Sequence, residues 1–162
     1  MNQTSQQPGL KEKQSHGTHL FPCAYYHFSN LSYRLRVRHL WHEEVEVVYL
    51  QHGSYKLDTN MEPYGTDQEC FLFLNSGELH SLRSVSVEFD EQAIVFSPSM
   101  LLFHNYDSID ESILLPLAQN ELTFPRFLDQ TIPFPPAFRS CYQQISRIFS
   151  KNNETLVTGE QI

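Results

Sequence analysis

The feature that most constrains this chain is its punctuation. From Ala24 to Phe96 it divides into about eight short strand-like runs, each closed by a turn signal. The runs are Ala24–Asn30, Tyr33–His39, Glu44–His52, Ser54–Asp58, Cys70–Leu74, Leu79–Arg83, Ser86–Phe89 and Gln92–Phe96. Between them stand Asn30, Gly53, Asp58-Thr59-Asn60, Pro63 with Gly65, Asn75-Ser76-Gly77 and Pro98. Strands interrupted every ~8–12 residues build an antiparallel sandwich or barrel. A parallel sheet needs a crossover helix of about a dozen residues between strands, and no gap here holds one. The expected fold class is therefore mainly β.

Beyond Pro98 the pattern changes. A helical turn is expected over Ser99–His104, then an irregular connection over 105–135 that carries Pro116, Pro125, Pro133 and Pro135. A C-terminal helix follows over 136–151. Phe138, Cys141, Tyr142, Ile145, Ile148 and Phe149 recur there at three- and four-residue steps and form one apolar stripe. Arg139, Gln143, Ser146 and Arg147 fall on the other side. Residues 1–20 are polar and read as a disordered tail, in which His16 and His19 are expected to be solvated; 152–162 reads as frayed. The barrel itself is expected over 21–104.

Composition excludes several roles. The formal net charge is -8, and Asp58 to Glu121 includes many acids against the single base Arg83. Such a surface repels phosphate, so no direct nucleic-acid binding is expected from this chain. No apolar run approaches the ~20 residues of a membrane helix. The N-terminus lacks the apolar stretch of a signal peptide, which points to the cytoplasm. Cys23, Cys70 and Cys141 form no C-x-x-C pair and read as reduced thiols.

The chemistry concentrates in two stretches. In Arg34 to Glu46, strand parity puts Arg34, Arg36, Arg38, His42, Glu44 and Glu46 on one face and Leu35, Val37, His39, Trp41 and Val45 on the other. A break near His39–Trp41 would uncouple the two halves. The second stretch, Asn75-Ser76-Gly77-Glu78-Leu79-His80, places a tight turn immediately before a histidine. A plainer reading stands beside each. His42 and His80 can be hydrogen-bonded core histidines. Glu44 and Glu46 can pair with Arg36 or Arg38, and the arginine trio can protect a strand edge. Trp41 can pack in the core or stack on a sugar-like ligand.

His42, Glu46 and Gly53 resemble the second His, the Glu and the Gly of the first cupin motif, and Asn75-x-Gly77-x-x-His80 resembles the second. More specifically, Leu40 to Leu50, Phe71 to Ser81 and Ala93 to Pro98 resemble, in matching order, the N-terminal effector domain of AraC-type transcriptional regulators. The resemblance spans roughly Phe21 to Lys151. It implies a cupin double-stranded β-helix, a jelly-roll barrel followed by a C-terminal α-helix, that binds a small effector. It also implies helix-mediated dimers and a C-terminal helix-turn-helix domain of roughly 100 further residues. Nothing after Ser150 supplies those residues, so this chain is expected to sense without contacting DNA itself.

Cupin enzymes hold a metal through three His and one Glu. Here Leu40 stands at the remaining His position, and His39 is one residue off and should face away. Three ligands can still hold zinc with water completing the shell. The reading adopted is a metal-free, cofactor-free pocket in which Arg38, His42, Glu44, Glu46 and His80 contact a small polar effector, a sugar or small acid, without catalysis. The alternative is a metal-dependent cupin enzyme of isomerase or dioxygenase type, with iron, zinc or nickel on His42, Glu46 and His80. The helix is expected to pack on its own barrel, leaving at most a weak homodimer.

Overall fold

Apolar runs interrupted by glycine and Asx turns lay out the strands, nine of them among the described residues. The computed structural model describes residues 8–29, 34–102, 108–130, 132–133 and 136–152. The strands are β1 (Cys23–Ser29), β2 (Arg36–Leu40), β3 (Val45–His52), β4 (Tyr55–Thr59), β5 (Glu62–Thr66), β6 (Cys70–Leu74), β7 (His80–Ser84), β8 (Asp90–Phe96) and β9 (Phe127–Leu128). A 3-10 turn spans Pro98–Leu101, a π-helical segment Asp110–Leu114 runs into helix α1 (Leu115–Ala118), and helix α2 covers Pro136–Asn152.

Two antiparallel sheets face each other, in the orders β1-β8-β3-β6-β9 and β2-β7-β4-β5. This interleaving, in which hairpin-connected strands alternate between sheets, is the jelly roll. The mainly β barrel with a C-terminal helix agrees with the expectation from sequence. Between the sheets lies one core, which includes Val48, Leu50, Leu72, Leu74, Leu82 and Phe89. Gly53 makes the turn after β3 at φ 111, and a Cβ there would stand 2.9 Å from that of Phe89. Only glycine combines that backbone with that contact.

The outer face of the larger sheet carries a second apolar cluster. In β3, Val45, Val47 and Tyr49 point to it while Glu46, Val48 and Leu50 point into the barrel. Helix α2 covers it. Phe71 is fully buried, stacks on Tyr49 at 4.5 Å between centroids and meets Phe138 edge-on at 4.8 Å. The Tyr142 hydroxyl donates to the Gln92 carbonyl at 3.0 Å.

Several expectations are corrected. Ser86–Phe89 forms no strand, with bends over Ser86–Glu88, while Glu62–Thr66 is an edge strand, where Pro63 and Gly65 are tolerated because no second neighbour needs their hydrogen bonds. The connection after Pro98 holds the π-helical segment, α1 and β9, whose two residues are too few for a periodic signal. On α2, Ser146 is buried while Ile145 and Ile148 are 41% and 59% exposed, so the buried face runs through Phe138, Tyr142, Ser146 and Phe149. The region expected to be a disordered tail contains an ordered segment. Trp41 donates to the Leu10 carbonyl and accepts from the Glu12 amide, and His16 is buried. Two backbone bonds and a Lys11 ammonium 5.3 Å above the Trp41 ring anchor what composition alone assigns to solvent. Asn30, Tyr33, His104, Pro135 and residues 153–162 lie outside the described residues.

Candidate ligand site in the barrel

The site is assembled by two turns tied to each other. His42 sits in the turn between β2 and β3, and its carbonyl accepts the Gly77 amide at 2.7 Å. Gly77, at φ 76, closes the turn ahead of His80. That turn is held from outside. Arg126 makes a bidentate pair with Glu78, two bonds of 2.7 Å, and also reaches the Phe73 carbonyl. The Asn75 side-chain amide bonds both backbone groups of Phe124. Glu78 and Asn75 therefore serve the turn, and the turn aims His80.

Inside the barrel, His42 Nε2 lies 3.4 Å from Glu46 Oε2, and His80 Nε2 lies 3.8 Å from the same oxygen. The Nδ1 atoms of His42 and His80 face backbone carbonyls, those of Glu44 at 3.1 Å and Glu78 at 2.9 Å. A carbonyl can only accept, so each Nδ1 carries a proton and each Nε2 is turned to the cluster. The expected meeting of His42, Glu46 and His80 is thus present in space. Their nearest ligand atoms all lie within 4.8 Å of one another. The three would suit a metal ion of zinc type, two imidazoles and a carboxylate with fixed tautomers. Leu40 lines the cavity where a further histidine would complete the set.

The cluster forms one wall of a cavity of about 130 Å³. Glu12, Gln14 and His16 of the N-terminal segment contribute another wall, with Tyr26 and Glu91. His16 is fully engaged, Nδ1 with the Tyr26 hydroxyl at 2.8 Å and Nε2 with Glu12 at 2.9 Å. Of the other expected site residues, Glu44 does not line the cavity, though its carboxylate lies 3.8 Å from His42 Nδ1. Arg38 is elsewhere. It is exposed and lines a separate cleft on the outside of the smaller sheet, together with Arg36 and Arg83. The reason is a shift of register in β2 between Val37 and Leu40, followed by the break at 41–44. Val37 and Leu40 both face the cavity, so parity is not carried from Arg38 to Glu46. His39 faces out, 3.6 Å from Asp58.

The model of the AraC-like ligand binding domain matches residues 25–156. The chain belongs to this family. No curated protein sequence is a significant match. Among solved structures, this AraC-like domain is similar to ToxT from Vibrio cholerae, with 17% identity, a TM-score of 0.42 and coverage of 88% of this chain and 61% of that one. It is also similar to a Cupin 2 conserved barrel domain protein from Salinispora arenicola, at 18% identity, TM-score 0.37, over 41% of this chain and 57% of that chain. Oxalate decarboxylase OxdC of Bacillus subtilis is a third, at 19% identity, TM-score 0.33, over 39% and 20%. The chain therefore spans less than two thirds of the length of each of these. Among the described residues no helix is long and apolar enough to cross a membrane.

Electrostatically, the AraC-like domain has a cavity of acids and imidazoles. Burial pulls the His42 imidazole down, but the hydrogen bond and charge of Glu46 outweigh it, and the net shift is upward. His80 is lowered, chiefly by burial. Burial pushes the Glu46 carboxyl up, and His42 and His80 together bring it below the ordinary carboxylate value. Glu91 has no such partner. It is 3% exposed, its Oε2 has no hydrogen-bond partner, and burial followed by the charges of Glu46 and Asp90 raises it well above the usual range. With Glu12 and His16, it is a cavity residue that sequence reasoning missed. Ala93 and Val95 share its strand parity and its cavity, which was the available signal. Among the described lining residues there is no Lys or Arg.

Proposed function

We propose that this domain is the effector-sensing part of an AraC-type transcriptional regulator, and that its effector is a small, uncharged, hydroxyl-bearing molecule held in the barrel. The observation that carries this reading is the pairing of Glu91, a buried carboxyl with an unpartnered oxygen, with the polar His42–Glu46–His80 cluster in one cavity without a fixed cation. A protonated carboxyl both donates and accepts, as does a ligand hydroxyl. An anionic ligand would meet Glu46 with no Arg or Lys to compensate its desolvation. Of the two ligand classes expected from sequence, the cavity chemistry therefore favours the sugar over the acid.

Signalling follows from the same geometry. Glu12, Gln14 and His16 belong to the segment that docks on Trp41. A ligand that contacts them stabilises the docked segment over any undocked state, by as much as its affinity differs between the two. The segment's position is then the readout available to the rest of a regulator. Isothermal titration with neutral monosaccharides and their aldonic acids, matched pairs differing in charge, tests the reading. Wild type should bind at least one neutral member, and Glu91→Ala should weaken it about tenfold or more, the cost of a lost buried hydrogen bond. Binding confined to the acids, or indifferent to Glu91, would refute it.

A second reading rests on the three convergent donors: a metal on His42, Glu46 and His80, with catalysis by an ion-bound water. Metal analysis of protein purified without chelators separates the two. Near-stoichiometric metal lost in His80→Ala supports the enzyme, and metal-free protein that binds neutral ligand supports the sensor.

A further inference from the structure

Five of the chain's 11 basic residues gather on the outside of the smaller sheet: Arg34, Arg36, Arg38, Lys56 and Arg83. The register makes the arrangement specific. Arg36 is directly opposite Arg83, and Arg83 is directly opposite Lys56. Three cations thus stand in one row across β2, β7 and β4, each about 5 Å from the next strand's residue. All three side chains are exposed, and among the described residues none has a carboxylate within ion-pair distance. Like charges directly opposite on neighbouring strands destabilise a sheet. Edge protection accounts for Arg36 and Arg38 at most, because β2 is an edge strand while β7 and β4 are inner strands with neighbours on both sides. A row that costs stability, on strands that need no edge device, in a chain of formal net charge -8, is a local rule broken without an internal compensation.

The surroundings are shaped for an occupant. The row borders a cleft of about 360 Å³ on one side, and Arg34, Arg36 and Arg83 border a second of about 320 Å³ on the other. In the first cleft Arg38 adds a fourth cation and Ser81 a hydroxyl, while Asp58 is the one carboxylate, set beside His39. Opposite Lys56 the row ends at Gly65, which adds no side chain to it.

We propose that this face is an anion-binding site for a small soluble molecule bearing phosphate groups, distinct from the barrel cavity. Cations this closely spaced are best neutralised together by one compact, multiply charged oxyanion, and guanidinium forks match the geometry of phosphate oxygens. Size and field exclude the larger polyanions. The patch is three strands wide, and a nucleic acid or anionic membrane reaching beyond it meets an acidic surface that repels it.

The probe is inorganic pyrophosphate, titrated calorimetrically at low and moderate salt into wild type, Arg83→Gln and Lys56→Gln. Saturable binding is expected that weakens as salt rises, and each substitution should weaken it at least tenfold. Without ligand, Arg83→Gln should melt at the same temperature as wild type or higher, since a like-charge neighbour is removed; this shows that lost binding is not lost folding. Absence of saturable binding, or equal affinity in folded Arg83→Gln, overturns the site. Tighter binding to a short DNA duplex than to pyrophosphate, or co-sedimentation with phosphatidic-acid vesicles but not with phosphatidylcholine, overturns the choice of a small soluble ligand. Because the barrel residues are untouched in both variants, retained binding of the barrel's neutral ligand separates failure here from failure of the proposed effector site.

Discussion

The barrel cavity and the outer face of the smaller sheet are separated by the thickness of one sheet, yet they handle charge in opposite ways. In the cavity the buried ionisable groups are set against one another. Glu46 lies beside two imidazoles, both histidines are oriented by carbonyls, and Glu91 is raised well above the usual carboxylate range. On the outer face three cations stand in a row, and among the described residues no carboxylate lies within ion-pair distance of any of them. Solvent explains the difference. A buried charge must find a partner or a proton, whereas an exposed one is screened and its mispairing costs little. The cavity's arrangement is therefore demanded by folding as well as by any ligand, while the outer row is not demanded by folding at all.

Charge insertion should separate the two regions most sharply. Glu91→Arg forces a longer, charged side chain into a position that is 3% exposed and is expected to cost about 3–5 kcal/mol or to prevent folding. Arg83→Glu on the outer face should change stability by less than about 1 kcal/mol, and favourably. Thermal melts of the two variants give the contrast directly. Equal losses would mean that the outer row is structural.

A smaller effect is expected where the cavity is supported from outside. Arg126→Ala removes the bidentate contact to Glu78 and the bond to the Phe73 carbonyl and should cost about 2–3 kcal/mol in urea unfolding. It should also loosen the turn that aims His80. Unchanged histidine chemical shifts in that variant would show that the turn holds without it.

Residue by residue, the sequence was legible where the contact depends on local spacing. His42 and Glu46 are four apart and Gly77 precedes His80 by three, and the likeness of these two stretches to the cupin motifs singles out the cluster. Reading failed where geometry depends on register. The break near His39–Trp41 is legible as an option, but the register shift between Val37 and Leu40 is not, and together they put Arg38 on the outside of the smaller sheet while Glu46 faces the barrel. His16 was out of reach for another reason: its burial depends on docking of the N-terminal segment against Trp41, a contact made across 30 residues by backbone atoms that carry no side-chain signature. The jelly-roll order itself could be anticipated as a class from the turn rhythm, but β9 could not, since a two-residue strand is defined only by its neighbour β6.

The pH dependence divides the cavity's own residues. His42 is raised in the folded state, so its contribution is full below its unfolded value of 6.5 and is lost as pH rises through the folded value. Glu46 is lowered, so its contribution is present above 4.5 and lost as pH falls through the folded value. Glu91 is raised, so its contribution is complete below 4.5 and is lost as pH climbs through its elevated folded value. Glu91→Gln should therefore flatten the alkaline decline in stability and leave the acid limb unchanged, as followed by urea midpoints across pH. The smallest effect belongs to the outer row. Arg36→Gln should raise stability by a few tenths of a kcal/mol at low ionic strength, and the gain should vanish in salt.

The proposed effector site requires Glu91 to face the cavity as an uncharged carboxylic acid at neutral pH, able to donate a hydrogen bond to a ligand hydroxyl. Infrared difference spectroscopy of wild type against Glu91→Gln measures that group directly. A protonated-carboxyl C=O band is expected at pH 7 that is absent from the variant and shifts when a neutral ligand binds. A wild-type spectrum that shows only carboxylate bands at that pH, with the variant correctly folded, would contradict it.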